Sequence, residues 1–252
     1  MGKDLPKEGA ERRVEGPFTG PPQVFFVMQE VPCPYLPNRF ERKLITELQG
    51  SGAKRVYASL SRAGFRRSHH FAYRPACQDC QACVPVRIDV ANFQPSRNLR
   101  RIAKLNADLL VSEERSVATE EQYDLFARYL SSRHSDGEMA EMDFDNYQAM
   151  VDDTALQTSL IEFRSPERKL IAACLTDWLG DGPSAVYSFF EPEERRRSLG
   201  SYMILWLIEQ AQIRGLSYVY LGYWIEDAEK MDYKRRFRPL QGLRAGAWRE
   251  IS

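Results

Sequence analysis

SAVYSFFEPEERRRSLGSYMILWLIEQAQIRGLSYVYLGYWI, Ser184 to Ile225, is the stretch whose reading decides the fold. Ala185 to Phe190 is rich in β-branched and aromatic residues, which predicts a strand. A charged loop, Glu191 to Arg197, leads into Ser198-Leu199-Gly200. Tyr202 to Ile208 is apolar on every side, so periodicity does not separate strand from helix there. Its length through Arg214, with a stop signal at Gly215, predicts a buried helix. Ser217 to Tyr223 reads as a further strand. Strand, Arg/Gly loop, buried helix and strand make an α/β core. An ordinary β-α-β crossover has the same signature.

The rest of the chain sets the bounds. Its 252 residues suffice for one large or two small domains, and 43% hydrophobic with 12% aromatic content suits a globular protein. Formal net charge is zero, yet Arg39 to Lys104 carries 14 Lys/Arg against 4 Asp/Glu, while Leu105 to Glu194 carries 6 against 20. A basic half facing a polyanion and an acidic middle would produce this asymmetry, and so would two solvated faces. The first twenty residues lack an apolar core, which argues against a signal peptide, and no apolar run reaches membrane-spanning length. With five cysteines, three of them closely spaced, the expected location is the reducing cytoplasm.

Three regions are expected: a flexible arm over residues 1–22, a basic cysteine-bearing domain over 23–111, and a C-terminal domain over 119–252, with Ser112 to Ala118 as linker. Helices are predicted at Ala53 to Ala63 and Asn98 to Leu110. In the second, Leu99, Ile102, Leu105 and Leu109 point inward, and Arg100, Arg101 and Lys104 outward. Phe65 to Tyr73 is expected to be extended, and Val84 to Val90 a strand. Thr119-x-x-Gln122 is a capping box for a third helix. Ser159 to Phe163 and Lys169 to Asp177 read as strands around the turn Ser165-Pro166, giving with Ala185 to Phe190 an antiparallel meander.

Cys77-x-x-Cys80-x-x-Cys83, with Cys33 in a proline-constrained loop, offers four thiolates, the number that Zn²⁺ or an iron–sulfur cluster takes. Buried or redox-labile thiols without metal satisfy the same spacing. Cys174 lies in an apolar strand and is the odd one out. His69-His70 beside Arg66-Arg67 suits phosphate contact, and His134 with Asp136 an acid–base pair or a loop hydrogen bond. Met231 to Phe237, which holds Lys234 and Arg235, mixes cations and aromatics, which suits an RNA end or a carboxylate and equally a solvated terminal face.

Several segments together carry a family resemblance. They are CPYL from Cys33, GFRRSHHFAYRPACQDCQACVPVRIDV from Gly64, RHSDGEM from Arg133, SAVYSFFEP from Ser184, RRSLGSYMIL from Arg196, YVYLGYWI from Tyr218 and MDYK from Met231. In this order they resemble the aminoacyl-tRNA–protein transferases, in particular the bacterial aspartate/glutamate leucyltransferases. The resemblance runs from about Gln23 to Trp248. It implies a C-terminal acyltransferase core of the N-acetyltransferase (GNAT) type beside a smaller cysteine-bearing N-terminal α/β region. It also implies transfer of leucine from leucyl-tRNA onto proteins beginning with Asp or Glu, marking them for degradation. Eukaryotic relatives are associated with an iron–sulfur cluster. This chain has Leu36 where they carry a second cysteine, so its cysteine arrangement departs from theirs.

Two other classes stay open: a coenzyme A-dependent acetyltransferase, and a metal-containing tRNA-binding module without chemistry. A coenzyme A pyrophosphate site needs R-x-x-G-x-G/A. Here Tyr202 follows Arg197-x-x-Gly200-x, so no coenzyme A is expected. For a transferase the aminoacyl ester is already activated, and positioning with oxyanion stabilisation supplies most of the catalysis. Asp177 is the candidate base or amine-orienting group, and Tyr187 and Tyr223 are hydrogen-bonding walls. Ser198 stands in the Arg/Gly loop with no histidine beside it in sequence. Arg197, Lys234 or Arg235 would meet the acidic acceptor side chain, and Arg66, Arg67, Arg100, Arg101 and Lys104 the tRNA.

The basic half makes a salt-dependent prediction. Reversing Arg100, Arg101 and Lys104 to Glu should weaken tRNA binding and flatten the slope of log K against log[salt] by about 2–3, given about 0.7–0.9 per phosphate contact. Titration of labelled leucyl-tRNA at several salt concentrations reads this directly. An unchanged slope means that these side chains are a solvated face.

Overall fold

The computed structural model describes residues 23–133, 141–226 and 228–251. The expected arm over 1–22 and the His134–Asp136 pair lie outside them. The chain begins with β1 (Phe26–Val27), β2 (Val31–Pro32), β3 (Phe40–Glu41), β4 (Lys43–Glu47) and α1 (Ala53–Arg62). Next come β5 (Arg66–Ser68), β6 (Phe71–Pro75), β7 (Val84–Asp89), α2 (Arg97–Leu105) and β8 (Leu110–Arg115). Then follow α3 (Glu120–Arg133), α4 (Phe144–Asp152), β9 (Thr158–Arg164), β10 (Leu170–Trp178) and β11 (Pro183–Phe190). The last elements are α5 (Leu199–Ile213), β12 (Tyr218–Trp224), β13 (Leu240–Arg244) and β14 (Ala247–Glu250), with 3₁₀ segments at Arg195–Arg197 and Glu229–Arg236.

An eight-stranded sheet, ordered β14-β13-β7-β12-β11-β10-β9-β8, is the frame of the molecule. β10 is buried at all nine positions because both of its faces are covered. Ala172 and Cys174 join the cluster built on α5, while Ala173 and Leu175 join the one built on α3 and α4. That alternation is the period of two of a strand between two layers. Full burial of each Leu or Phe in these layers is worth about 1.5–3 kcal/mol. The capping box forms as expected: Thr119 N–H donates to Gln122 Oε1 at 2.9 Å, and Gln122 N–H to Thr119 Oγ1 at 3.3 Å.

The strand–loop–buried helix–strand unit is present as β11, α5 and β12, and the core is of the expected α/β kind. The division at 111/119 is not how the sheet divides. β7 lies between β12 and β13, paired antiparallel with both, so an N-terminal strand sits inside the C-terminal sheet. The expected linker forms β8 over its first half, at the sheet edge against β9. Helix α2 stops at Leu105, which is 41% exposed rather than inward. Phe65 to Tyr73 is a hairpin rather than one extended run, because His69 turns the chain at φ +51°.

A smaller sheet, β1-β4-β6-β5, lies against this frame. Tyr57, Leu60, Phe65 and Ala72 pack with Leu179 and Tyr220 of the larger unit.

The parallel pair β11 and β12 is joined at a single position, Ser184 opposite Tyr220. Beyond it β12 carries an irregularity at Leu221, between Tyr220 and Gly222. Two open strands leave backbone carbonyls in need of donors. Arg66 supplies them from β5: its Nη2 donates to the carbonyls of Ala185 at 2.8 Å and Val186 at 2.9 Å. Gly222 makes room for it. At φ +75°, a Cβ there would stand 1.8 Å from Arg66 Nη1.

Gly222→Ala should therefore cost about 1–3 kcal/mol from the left-handed backbone alone, and more from collision with Arg66. Arg66→Met should cost a further ~1–3 kcal/mol by leaving carbonyls unpaired. Because the two share one space, urea midpoints of the double variant should fall short of the sum of the single effects.

Candidate active site

Where β11 and β12 part, a cleft of about 1230 Å³ opens. Its walls are the β11/β12 split, the N-terminus of α5, the Glu229–Arg236 segment and the β5–β6 hairpin. Among the described lining residues, Lys43, Arg66, Arg67, Arg133, Arg195, Lys230 and Lys234 face a single carboxylate, Glu194. Lys43 and Arg67 are ion-paired with Glu41 and Asp177 from outside the described wall, and the remaining cations still outnumber Glu194, so the cleft attracts anions.

Arg67 is the most deeply fixed of these cations, with its side chain 1% exposed. Its Nε donates to Asp177 Oδ2 at 2.7 Å and its Nη1 to the His69 carbonyl at 2.9 Å. Asp177 Oδ1 accepts from Thr158 Oγ1 at 2.7 Å. Asp177 is fully buried on β10, outside the described cleft wall. The structure thus buries the expected base against Arg67, outside the described cleft wall.

Of the other candidates, Tyr187, Ser198, Tyr223, Lys234 and Arg66 do line the cleft. Tyr187 packs its ring edge-on against Phe126 at 5.8 Å. The Tyr223 hydroxyl is directed at the carbonyls of Gly64 at 2.9 Å and Tyr73 at 3.1 Å, so it secures the N-terminal unit. Ser198 takes a left-handed conformation, φ +52°, just before α5, and no described side chain caps that helix end.

Arg197 is turned away. Its guanidinium grips both oxygens of Asp108, at 2.8 and 2.9 Å, and holds that carboxyl below the usual range. Arg195, two residues earlier, takes its place in the cleft. Arg235 lies over Trp224 at 5.7 Å, outside the described wall. Arg100, Arg101 and Lys104 are exposed along α2, also outside it. The ring of Tyr202 packs edge-on against Phe163 at 5.7 Å and is not part of the described cleft wall.

Cys83 is pushed up to about 12, first by burial and then by the nearby thiols of Cys33, Cys77 and Cys80. The four thus gather in one neighbourhood. The sulfur of Cys77 is engaged with the backbone of Arg42, and no three His, Cys, Asp or Glu side chains among the described residues form a metal-ligand set. The donors match a thiophilic ion in kind, not in arrangement, so no chemical step is assigned to them. Burial pushes Cys174 up to about 11, as an inert core thiol requires.

Comparison with known proteins supplies the family. The model described as "Arginine-tRNA-protein transferase, N terminus" matches residues 31–101, and its C-terminus counterpart matches residues 121–244. An aspartate/glutamate leucyltransferase of Granulibacter bethesdensis is 51% identical over 92% of this chain and 86% of its own. Those of Paramagnetospirillum magneticum (49%; 92% and 95%) and Parvibaculum lavamentivorans (52%; 89% and 93%) are similar over comparable spans. This chain belongs to the aminoacyl-tRNA–protein transferase family. Its cleft is therefore that of an aminoacyltransferase. Among solved structures, L-PGS from Bacillus licheniformis aligns with a TM-score of 0.44 and 12% identity over 57% of this chain and 47% of its own, a likeness too faint to carry an argument.

Lys43, Arg133, Arg195 and Lys230 were not singled out from sequence. Arg195, inside the decisive loop, and Arg133, which opens the segment RHSDGEM, had a signal that could have found them.

The Arg67–Asp177 pair yields a test. Asp177→Ala should lower stability by about 3–5 kcal/mol, because a buried guanidinium loses its carboxylate. The double variant Arg67→Met/Asp177→Leu should recover most of that loss in urea denaturation.

Proposed function

We propose that this protein transfers leucine from leucyl-tRNA to the N-terminal α-amine of proteins beginning with Asp or Glu, creating a degradation signal in the cytoplasm. The observation that carries the reading is the cleft itself. It is a cation-lined opening at the parted strands of an aminoacyltransferase core, and both proposed substrates are anionic where they would enter it. The relatives' shared name, aspartate/glutamate leucyltransferase, supports the choice of amino acid and acceptor. Among the described residues no helix is long and apolar enough to cross a membrane.

The chemistry asks little beyond placement. The ester linking an amino acid to tRNA is activated, so the acceptor amine needs only proximity, a neutral lone pair and support for the oxyanion. Direct transfer needs neither coenzyme A nor an acyl-enzyme. Cys174 is buried and raised, and Ser198 makes no hydrogen bond with a histidine among the described residues, so neither is an activated nucleophile.

Labelled leucine and arginine, each on its own tRNA, should be offered with peptides beginning Asp, Glu, Arg or Ala. Leucine should move to the Asp and Glu peptides at least tenfold faster than any other combination. Kinetics should be sequential, and added coenzyme A without effect. Ping-pong kinetics, or a leucyl-enzyme trapped by acid quench, would overturn direct transfer. Preference for arginine would overturn the donor assignment.

A further inference from the structure

The transferase reading leaves one chemical role unfilled, because Asp177 is buried outside the described cleft wall. The attacking amine loses a proton as it becomes an amide, and the departing ribose oxygen must gain one. Lys234 sits where both could occur. It projects from the Glu229–Arg236 segment into the cleft wall and is 7% exposed. Its Nζ donates to the carbonyl of Tyr223. The residue before, Gly222, is the one on which Arg66 lies. Two basic side chains thus bracket adjacent residues of β12 at the mouth of the split.

The surroundings of Lys234 distinguish it from an ordinary binding cation. Arg66 faces it from β5 and is pinned by the β11 carbonyls. Tyr223 presents a carbonyl from β12, while Tyr233, beside it on the same segment, has its ring centroid 5.9 Å from Nζ. From α5 and β11 the nearest cleft residues are uncharged, and Cys174 of β10 holds a raised, neutral thiol. Glu194, the described carboxylate of the wall, is 3.2 Å from Arg197. Among the described residues no carboxylate pairs with Lys234, so burial, then Arg66, pushes it down to about 7. An amine poised near working pH can both take and return a proton.

We propose that Lys234 is the proton-transfer group of the aminoacyl transfer. The acceptor nitrogen's lone pair forms the C–N bond to the ester carbonyl carbon, and the π pair moves to the oxygen. The proton released from that nitrogen passes to the neutral Nζ of Lys234. As the tetrahedral adduct collapses, the C–O bond to the ribose breaks and Lys234 protonates the departing oxygen. Peptide amide and free tRNA hydroxyl result, and the enzyme ends in the protonation state in which it began. The role rests on the transferase reading. It also replaces that of a permanent cation for the acceptor carboxylate.

The test compares wild type, Lys234→Arg and Lys234→Met in leucyl transfer with both substrates saturating, from pH 5.5 to 9. Wild-type kcat should fall about tenfold per pH unit below 7. Both variants should lose about 10²–10³-fold in kcat and keep only the pH dependence of the acceptor α-amine, centred at about 7.7–8.0, with leucyl-tRNA affinity within threefold of wild type. Lys234→Arg with near-normal kcat, a flat wild-type profile between pH 6 and 8, or a rise in acceptor KM with kcat intact would each overturn the role. If the wild type moves no leucine to any acceptor, the transferase reading falls and this role with it. If it does and Lys234→Arg matches it, only this role falls.

Melting temperature gives a second readout. The folded pKa of Lys234 lies below its unfolded value, so the unfolded chain holds the extra proton between about 7 and about 10.4, and wild-type stability should rise with pH across that window. Lys234→Met should melt higher than wild type at pH 6–7, with the gap closing by pH 10. A gap independent of pH would overturn the neutral amine.

Discussion

Arg66 in the fork between β11 and β12 is the contact on which the site depends. Two parallel strands that separate after one pair expose carbonyls that nothing in their own sheet can satisfy. A guanidinium with five donors on a planar fork can reach two of them at once and still present an edge to the neighbouring strand. Because it comes from β5, the same contact docks the small N-terminal sheet onto the larger one. The Tyr223 hydroxyl, whose one proton is shared between the carbonyls of Gly64 and Tyr73, makes the attachment reciprocal. Opening the cleft and joining the two units are thus one event.

Three basic side chains, Arg67 and Lys234 buried and Arg66 partly so, then share one wall, each in a different electrostatic state. Arg66 is solvated by carbonyl dipoles, Arg67 by the full charge of Asp177, and Lys234 by one carbonyl. Arginine keeps its proton in such places, whereas lysine releases it. Burial first, and then the charge of Arg66, makes the lysine acidic. Exchanging Lys234 for arginine would keep the charge and remove the capacity to change it.

What could be read in advance followed from burial. The β11–α5–β12 unit, the capping box at Thr119 and the β9–β10 hairpin were legible because apolar period and turn chemistry agree there. β8 was not, since Leu110 to Arg115 lies at a sheet edge, largely exposed, with the composition of a linker. The place of β7 was equally hidden, because strand order is a tertiary property that no local pattern encodes. In the site, residue types were visible but partners were not. Nothing local says that Arg66 meets carbonyls 119 and 120 residues away, or that Arg195 rather than Arg197 enters the cleft.

The central position of β7 has a consequence for synthesis. Arg87 reaches Tyr220, 133 residues later, and Gln241, 154 residues later. At about 5–20 residues per second, roughly 8–30 s separate translation of β7 from translation of the strands that flank it. During that interval α1 and the β4-β6-β5 sheet have all their segments available, while Val86 and Ile88 have no sheet to enter. The cleft, walled in part by β12 and the Glu229–Arg236 segment, is completed only after that interval, and a ribosome that stalls late leaves an apolar strand without neighbours.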